Sequence, residues 1–136
     1  MSLPLLRRQG GAIVITASVN GSRIFSNSGA SAYSSSKAGQ VAFAKMAALE
    51  LARDKIRVNV VCPGWIDTNI GEATHLRNID RIKTPVEYPN GFSPLAGKPG
   101  DPVQVARVMA FLLSDAADHV TGAEMFVDGA ESLLIG

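Results

Sequence analysis

Cysteine is nearly absent from this chain: Cys62 is the one thiol among 136 residues. A lone cysteine excludes an internal disulfide framework and fits a reducing cytoplasm. An excess of either charge is missing too. Thirteen basic residues stand against twelve acidic ones, a net charge of +1. No basic patch points to nucleic acid, and no acidic tail points to disorder. Long apolar runs are lacking as well; stretches such as Ala12 to Ile15 are far too short to cross a bilayer. The start carries no secretory pattern. There are two histidines, His75 and His119, and neither stands at ligand spacing from a carboxylate or a cysteine, so no metal site is expected. What is present is a globular balance, 46% apolar and 18% charged. It suits one domain over residues 1–136, with a real core but short for an α/β enzyme that binds a dinucleotide.

The order of elements reads as parallel α/β. Gly10 and Gly11 break the chain before Ala12 to Thr16, a β-branched apolar run of the kind buried inside a parallel sheet covered on both faces. Val19 to Ser31 is a Gly- and Ser-rich loop. From Ser31 to about Asp54 proline is absent and alanine plentiful, which predicts one long helix. Val41, Ala44, Ala48 and Leu51 line one side of it, and Ala38, Ala42, Met46 and Leu49 another. A helix apolar on two sides is expected to be buried on two sides, by its own sheet and by a second subunit. A second strand, Ile56 to Cys62, ends at Pro63-Gly64. Residues 66–100 hold the clustered prolines and glycines of a flap over a substrate site. Asp101-Pro102 starts a helix that continues through Val105, Val108, Met109 and Leu112. A last strand, Ala123 to Val127, is closed by Asp128-Gly129.

The stretch "SAYSSSKAGQ" sets Tyr33 one helical turn ahead of Lys37 among small residues. Alone that spacing is weak, but ligands of such sheets bind at the carboxyl ends of the strands. Ser18 ends the first strand, Pro63-Gly64 ends the second, and Tyr33 and Lys37 begin the helix between them. Three separated pieces therefore converge on one edge. The chemistry is coherent: removing a hydroxyl proton needs a base that titrates near working pH, and free tyrosine titrates near 10. A lysine ammonium about 5 Å from a phenolate contributes roughly 3 kcal/mol at an effective dielectric near 20. Ser34, Ser35, Ser36 and Gly39 leave room for a ribose.

The pieces "IVITAS", "YSSSK", "IRVNVVCPGWIDT" and "HVTGAEMFVDG" span nearly the whole chain, and in this order they resemble the carboxyl-terminal half of a short-chain dehydrogenase/reductase. The resemblance implies a partial Rossmann-like doubly wound parallel sheet, the last three strands with their flanking helices. It implies that Tyr33 is the acid/base, Lys37 its partner and Ser18 the donor to the oxygen of a small alcohol or carbonyl substrate. It further implies that Tyr33, Lys37, Pro63, Gly64, Ile66 and Thr68 hold the nicotinamide end of NAD or NADP, and that subunits pair through the long helix into a homo-oligomer. The loop from Ser18 to Tyr33 is longer than the family's common one, and Asp128-Gly129-Ala130 replaces its usual double glycine. The family's glycine-rich pyrophosphate turn is not found in these residues. Two function classes follow, an NAD(P)-dependent oxidoreductase and a noncatalytic remnant acting only by association. A Ser/Lys hydrolase is a distant third, without a glycine-framed nucleophile turn. Trp65 is read equally as pocket wall or packing, Thr68 as cofactor contact or helix cap, and Cys62 as a core thiol.

Overall fold

β-Branched residues at Ile56, Val58 and Val60 favour extended backbone, and the central strand β2 (Ile56–Pro63) runs through them. The structure, a computed structural model, describes residues 3–72, 74–75, 77–78, 81–82 and 93–134. β2 lies between β1 (Gly11–Thr16) and β3 (Glu124–Val127), parallel to both. The register runs from Gly11 opposite Ile56 to Thr16 opposite Val61, and from Val60 opposite Glu124 to Pro63 opposite Val127. The parallel three-stranded α/β architecture expected from the sequence is thus the observed one.

Alternation along β2 sorts its side chains between two layers. Ile56, Val58, Val60 and Cys62 pack against Val41, Ala44, Ala47 and Ala48 of helix α2 (Ser31–Leu51). Alanines on that face let the helix lie close to the sheet, and each fully buried valine or isoleucine contributes about 1.5–3 kcal/mol. On the opposite face Val61 meets Val105 and Leu112 of helix α3 (Pro102–Leu113). Asp101 starts α3 with a reciprocal capping box: its carboxylate accepts from Val103 N, and Gln104 accepts from Asp101 N, each at 2.8 Å. Arg57 and Asn59, also on this face of β2, are polar. The Arg57 guanidinium donates to the carbonyls of Leu112 (2.7 Å) and Ser114 (3.0 Å), satisfying the carboxyl end of α3.

Several expectations need correction. The long helix ends at Leu51 and continues only as a 3-10 turn, Ala52–Asp54, because Lys55 takes up a left-handed φ of 57°. Within this chain α2 buries one side, while on the side assigned to a second subunit Phe43, Met46 and Leu49 are 65%, 58% and 77% exposed. Ala12 to Ile15 are half-buried, since β1 pairs with β2 alone among the described residues. Two helices were not anticipated, α1 (Leu3–Gln9) before the sheet and α4 (Glu131–Leu134) after it. Residues 73, 76, 79–80 and 83–92 of the expected flap lie outside the described residues. Ala130, where the family's second glycine usually stands, has φ of 69°, a conformation that an L-residue adopts at about 1 kcal/mol.

Candidate active site

Thr16 ends β1, and the chain turns there because Ser18 caps a 3-10 turn, Val19–Gly21. The Ser18 hydroxyl accepts from Asn20 N at 3.2 Å and donates to Asn20 Oδ1 at 3.3 Å. It is 6% exposed, so the turn holds a candidate donor in a defined place. This turn rests directly on α2. A Cβ on Gly21 would stand 2.8 Å from the Lys37 carbonyl carbon, so only glycine permits the approach.

Lys37 answers from the helix. Its Nζ donates to the Thr16 carbonyl at 3.0 Å, tying α2 to the end of β1. The same ammonium lies 5.6 Å from the centroid of the Tyr33 ring, one turn earlier. Lysine has three N–H donors, and one is used on Thr16. Tyr33 is 40% exposed on the cavity side of the helix.

The third segment follows β2. Gly64 N donates to Val127 O at 3.1 Å, continuing the ladder, and Trp65 N donates to Glu131 Oε2 at 2.6 Å. Ile66 then bridges to Gly100, with Asp67 N on the Gly100 carbonyl at 2.9 Å. Thr68 stands at the cap position of the turn Asn69–Gly71, yet its side chain makes no capping bond. It lines the cavity, and so does Trp65.

Ser18, Tyr33, Lys37, Pro63, Gly64, Ile66 and Thr68 all line one cavity of about 760 Å³. The long loop after Ser18 does not carry it away from Tyr33. A volume in this range admits a drug-sized ligand, and the two further Lys37 donors suit the hydroxyls of a ribose. The cavity therefore fits the nicotinamide end of a dinucleotide with a small substrate beside it. Its far wall is α3, through Val105 and Met109.

Two residues of the site escape sequence reasoning. Asn20 gave a faint signal, a polar residue two positions after Ser18. Glu131 gave none, because an acid near the end of a chain reads as exposed; here it is 7% exposed. Burial pushes its carboxyl above the ordinary carboxylate range, the Trp65 N–H opposes that, and the neighbouring Asp128 charge adds to it. Cys62 has no part in the cavity. Burial, then the Glu124 charge, pushes its thiol up to about 11, which keeps it protonated and inert.

Known proteins share this sequence pattern and fold. A family model described as enoyl-(acyl carrier protein) reductase matches residues 1–130. The human 3-oxoacyl-[acyl-carrier-protein] reductase is 37% identical over 131 residues, which are 96% of this chain and 49% of that protein. The 3-oxoacyl-[acyl-carrier-protein] reductase FabG of Aggregatibacter actinomycetemcomitans is 40% identical over 128 residues, 93% of this chain and 48% of the relative. A crystal structure of a 3-ketoacyl-ACP reductase from Sinorhizobium meliloti superposes with a TM-score of 0.91 at 46% identity, covering 98% of this chain and 53% of the other. The chain thus spans about half the length of the curated relatives it matches.

Proposed function

Because the chain belongs to the short-chain dehydrogenase/reductase family, we propose that it carries the chemistry end of an NAD(P)-dependent oxidoreductase that interconverts an alcohol and a carbonyl. The observation that carries this reading is the convergence of Ser18, Tyr33, Lys37 and the Pro63-Gly64 turn on one cavity. When bound, the nicotinamide supplies a hydride acceptor or donor. The protein's own groups do the rest. Tyr33 takes the hydroxyl proton of an alcohol, or returns it to a forming alkoxide. Lys37 stands beside the Tyr33 ring, its Nζ 5.6 Å from the ring centroid. Its remaining N–H donors hold the ribose. Ser18 donates to the substrate oxygen, exchanging its bond to Asn20 Oδ1 for that one. Ile66 and Thr68, with the Pro63-Gly64 turn, would hold the nicotinamide end.

The test is an absorbance assay of the full-length protein with NADH or NADPH and a panel of carbonyls that includes a 3-oxoacyl thioester, the class its relatives' names give. Oxidation of one cofactor by one class is the expected result. No oxidation across the panel, with the cofactor bound, would overturn the enzymatic reading in favour of an association role.

The exposed row Phe43, Met46 and Leu49 on α2 supports a second proposal, pairing of two copies through this helix. Sedimentation at micromolar concentration should show a dimer or larger species, and Leu49→Lys should shift it towards monomer. A wild-type monomer at that concentration would refute the pairing.

A further inference from the structure

We propose that Glu131 is a positioning residue: through the Trp65 N–H it clamps the Pro63–Trp65 turn and sets how well that turn receives the nicotinamide. This rests on the oxidoreductase reading above.

The Trp65 carbonyl accepts from Gly100 N at 2.9 Å, and the turn's N–H groups are fixed separately. Pro63 has no N–H, and Gly64 N is the last donor to the strand ladder, on Val127 O. The next donor, Trp65 N, meets the Glu131 carboxylate at 2.6 Å, a charge-assisted bond about twice as strong as a neutral one. Gly64 and Glu131 interlock. A Cβ at Gly64 would overlap Glu131 Oε2 and stand 2.7 Å from Asp128 Cβ, so the carboxyl is seated against bare backbone. Asp128 holds the segment that delivers Glu131: it accepts from Ala130 N (3.1 Å), Ser132 N (3.0 Å) and the Ser132 hydroxyl. Arg23, reaching over from the loop after β1, bonds Ser132 Oγ at 3.3 Å. Glu131 thus links the segment after β3 to the turn after β2, and it lines the same cavity as Tyr33 and Lys37.

A glutamine in this place would bury no charge but would offer Trp65 N only a neutral acceptor, a bond about half as strong. The sign of the linkage makes the carboxyl informative. Its folded pKa lies above the ordinary value of 4.5. The folded state therefore binds the proton more tightly, and that stabilisation is complete below 4.5 and lost as pH rises through the raised value. At neutral pH the buried charge is a burden on the fold. Among the described residues, the titratable and charged groups around it are Asp128 on its own turn, Arg23 beyond Ser132, and Lys37 and Tyr33 across the cavity; the Pro63–Trp65 turn brings none.

Trp65 is the only tryptophan of the 136 residues and reports on its own backbone bond. The full-length protein is titrated in Trp65 emission between about pH 4.5 and 8, with Trp65→Phe subtracting any other tryptophan. A transition with its midpoint above 4.5 is expected in the wild type and absent in Glu131→Gln. The glutamine variant should bind NADH or NADPH about tenfold more weakly, while its Tm is unchanged or higher. A merely structural glutamate would lower Tm instead. An emission titration that persists in Glu131→Gln, or cofactor affinity within about twofold of wild type, would overturn the proposal. Should Glu131→Gln not fold, Glu131→Asp withdraws the carboxylate from Trp65 N and is read by the same measurements. If the wild type binds no nicotinamide cofactor, the oxidoreductase reading falls, and the emission titration alone decides whether Glu131 holds the turn.

Discussion

Replacing Tyr33 by phenylalanine should reduce turnover by about a hundredfold or more while leaving cofactor affinity within about twofold, measured by steady-state kinetics and by cofactor titration of the full-length protein. The substitution removes one oxygen and leaves the ring, so its packing beside Lys37 is preserved. Lys37 keeps its bond to the Thr16 carbonyl, so the group proposed to hold the ribose does not move. What disappears is the only donor–acceptor at that point of the cavity that exchanges a proton with the substrate oxygen in the proposed mechanism. Ser18 does not take over. Its hydroxyl lone pair is already engaged by Asn20 N and its proton by Asn20 Oδ1, an arrangement suited to donating a hydrogen bond and not to acting as a base. A variant that retains more than about a tenth of wild-type turnover would remove Tyr33 from the acid/base role.

The second large effect is on stability. Asn59 is fully buried in β2, where its Nδ2 donates to Val120 O at 2.8 Å and its Oδ1 accepts from Ala123 N at 3.0 Å. These two bonds hold the backbone that leads into β3. Asn59→Ala leaves the half-buried Ala123 N–H without this partner, leaves the Val120 carbonyl only the longer bond from Arg57 Nη1 at 3.4 Å, and adds a void the size of an amide, each at about 1–3 kcal/mol. A loss of about 3–5 kcal/mol is expected, a large part of the 5–15 kcal/mol typical of a domain. Urea denaturation should show it as a midpoint lowered by about 2 M. Asn59→Asp is expected to be nearly as damaging, since it keeps the acceptor for Ala123 N but sets a carboxylate against the Val120 carbonyl. A shift of less than about 1 kcal/mol in the alanine variant would mean that the segment finds other partners.

Asn59 and Arg57 show where reading from residues alone stops. The run "IRVNVVCPG" reads as a buried strand from its β-branched residues and its Pro-Gly stop, and β2 is that strand. Nothing local tells that its two polar residues reach the end of α3 and the approach to β3. Their partners lie in segments far along the chain, at Leu112, Ser114, Val120 and Ala123.

The same division runs through the site. Tyr33 and Lys37 were legible together because one helical turn joins them, and the start of α3 was legible because a cap is made with residues only two and three positions away. The convergence of Ser18 and Pro63-Gly64 on that pair followed from the sheet rule that gathers strand ends at one edge. Lys37 on Thr16 O, Gly21 against α2, and Glu131 on Trp65 N belong to the tertiary structure alone. Hydrophobic periodicity and capping are set by neighbours in the chain, so sequence determines the elements and their order. A hydrogen bond acts over about 3 Å and a burial contact over about 4 Å, so which atoms meet across the fold is decided only when the distant segments have packed.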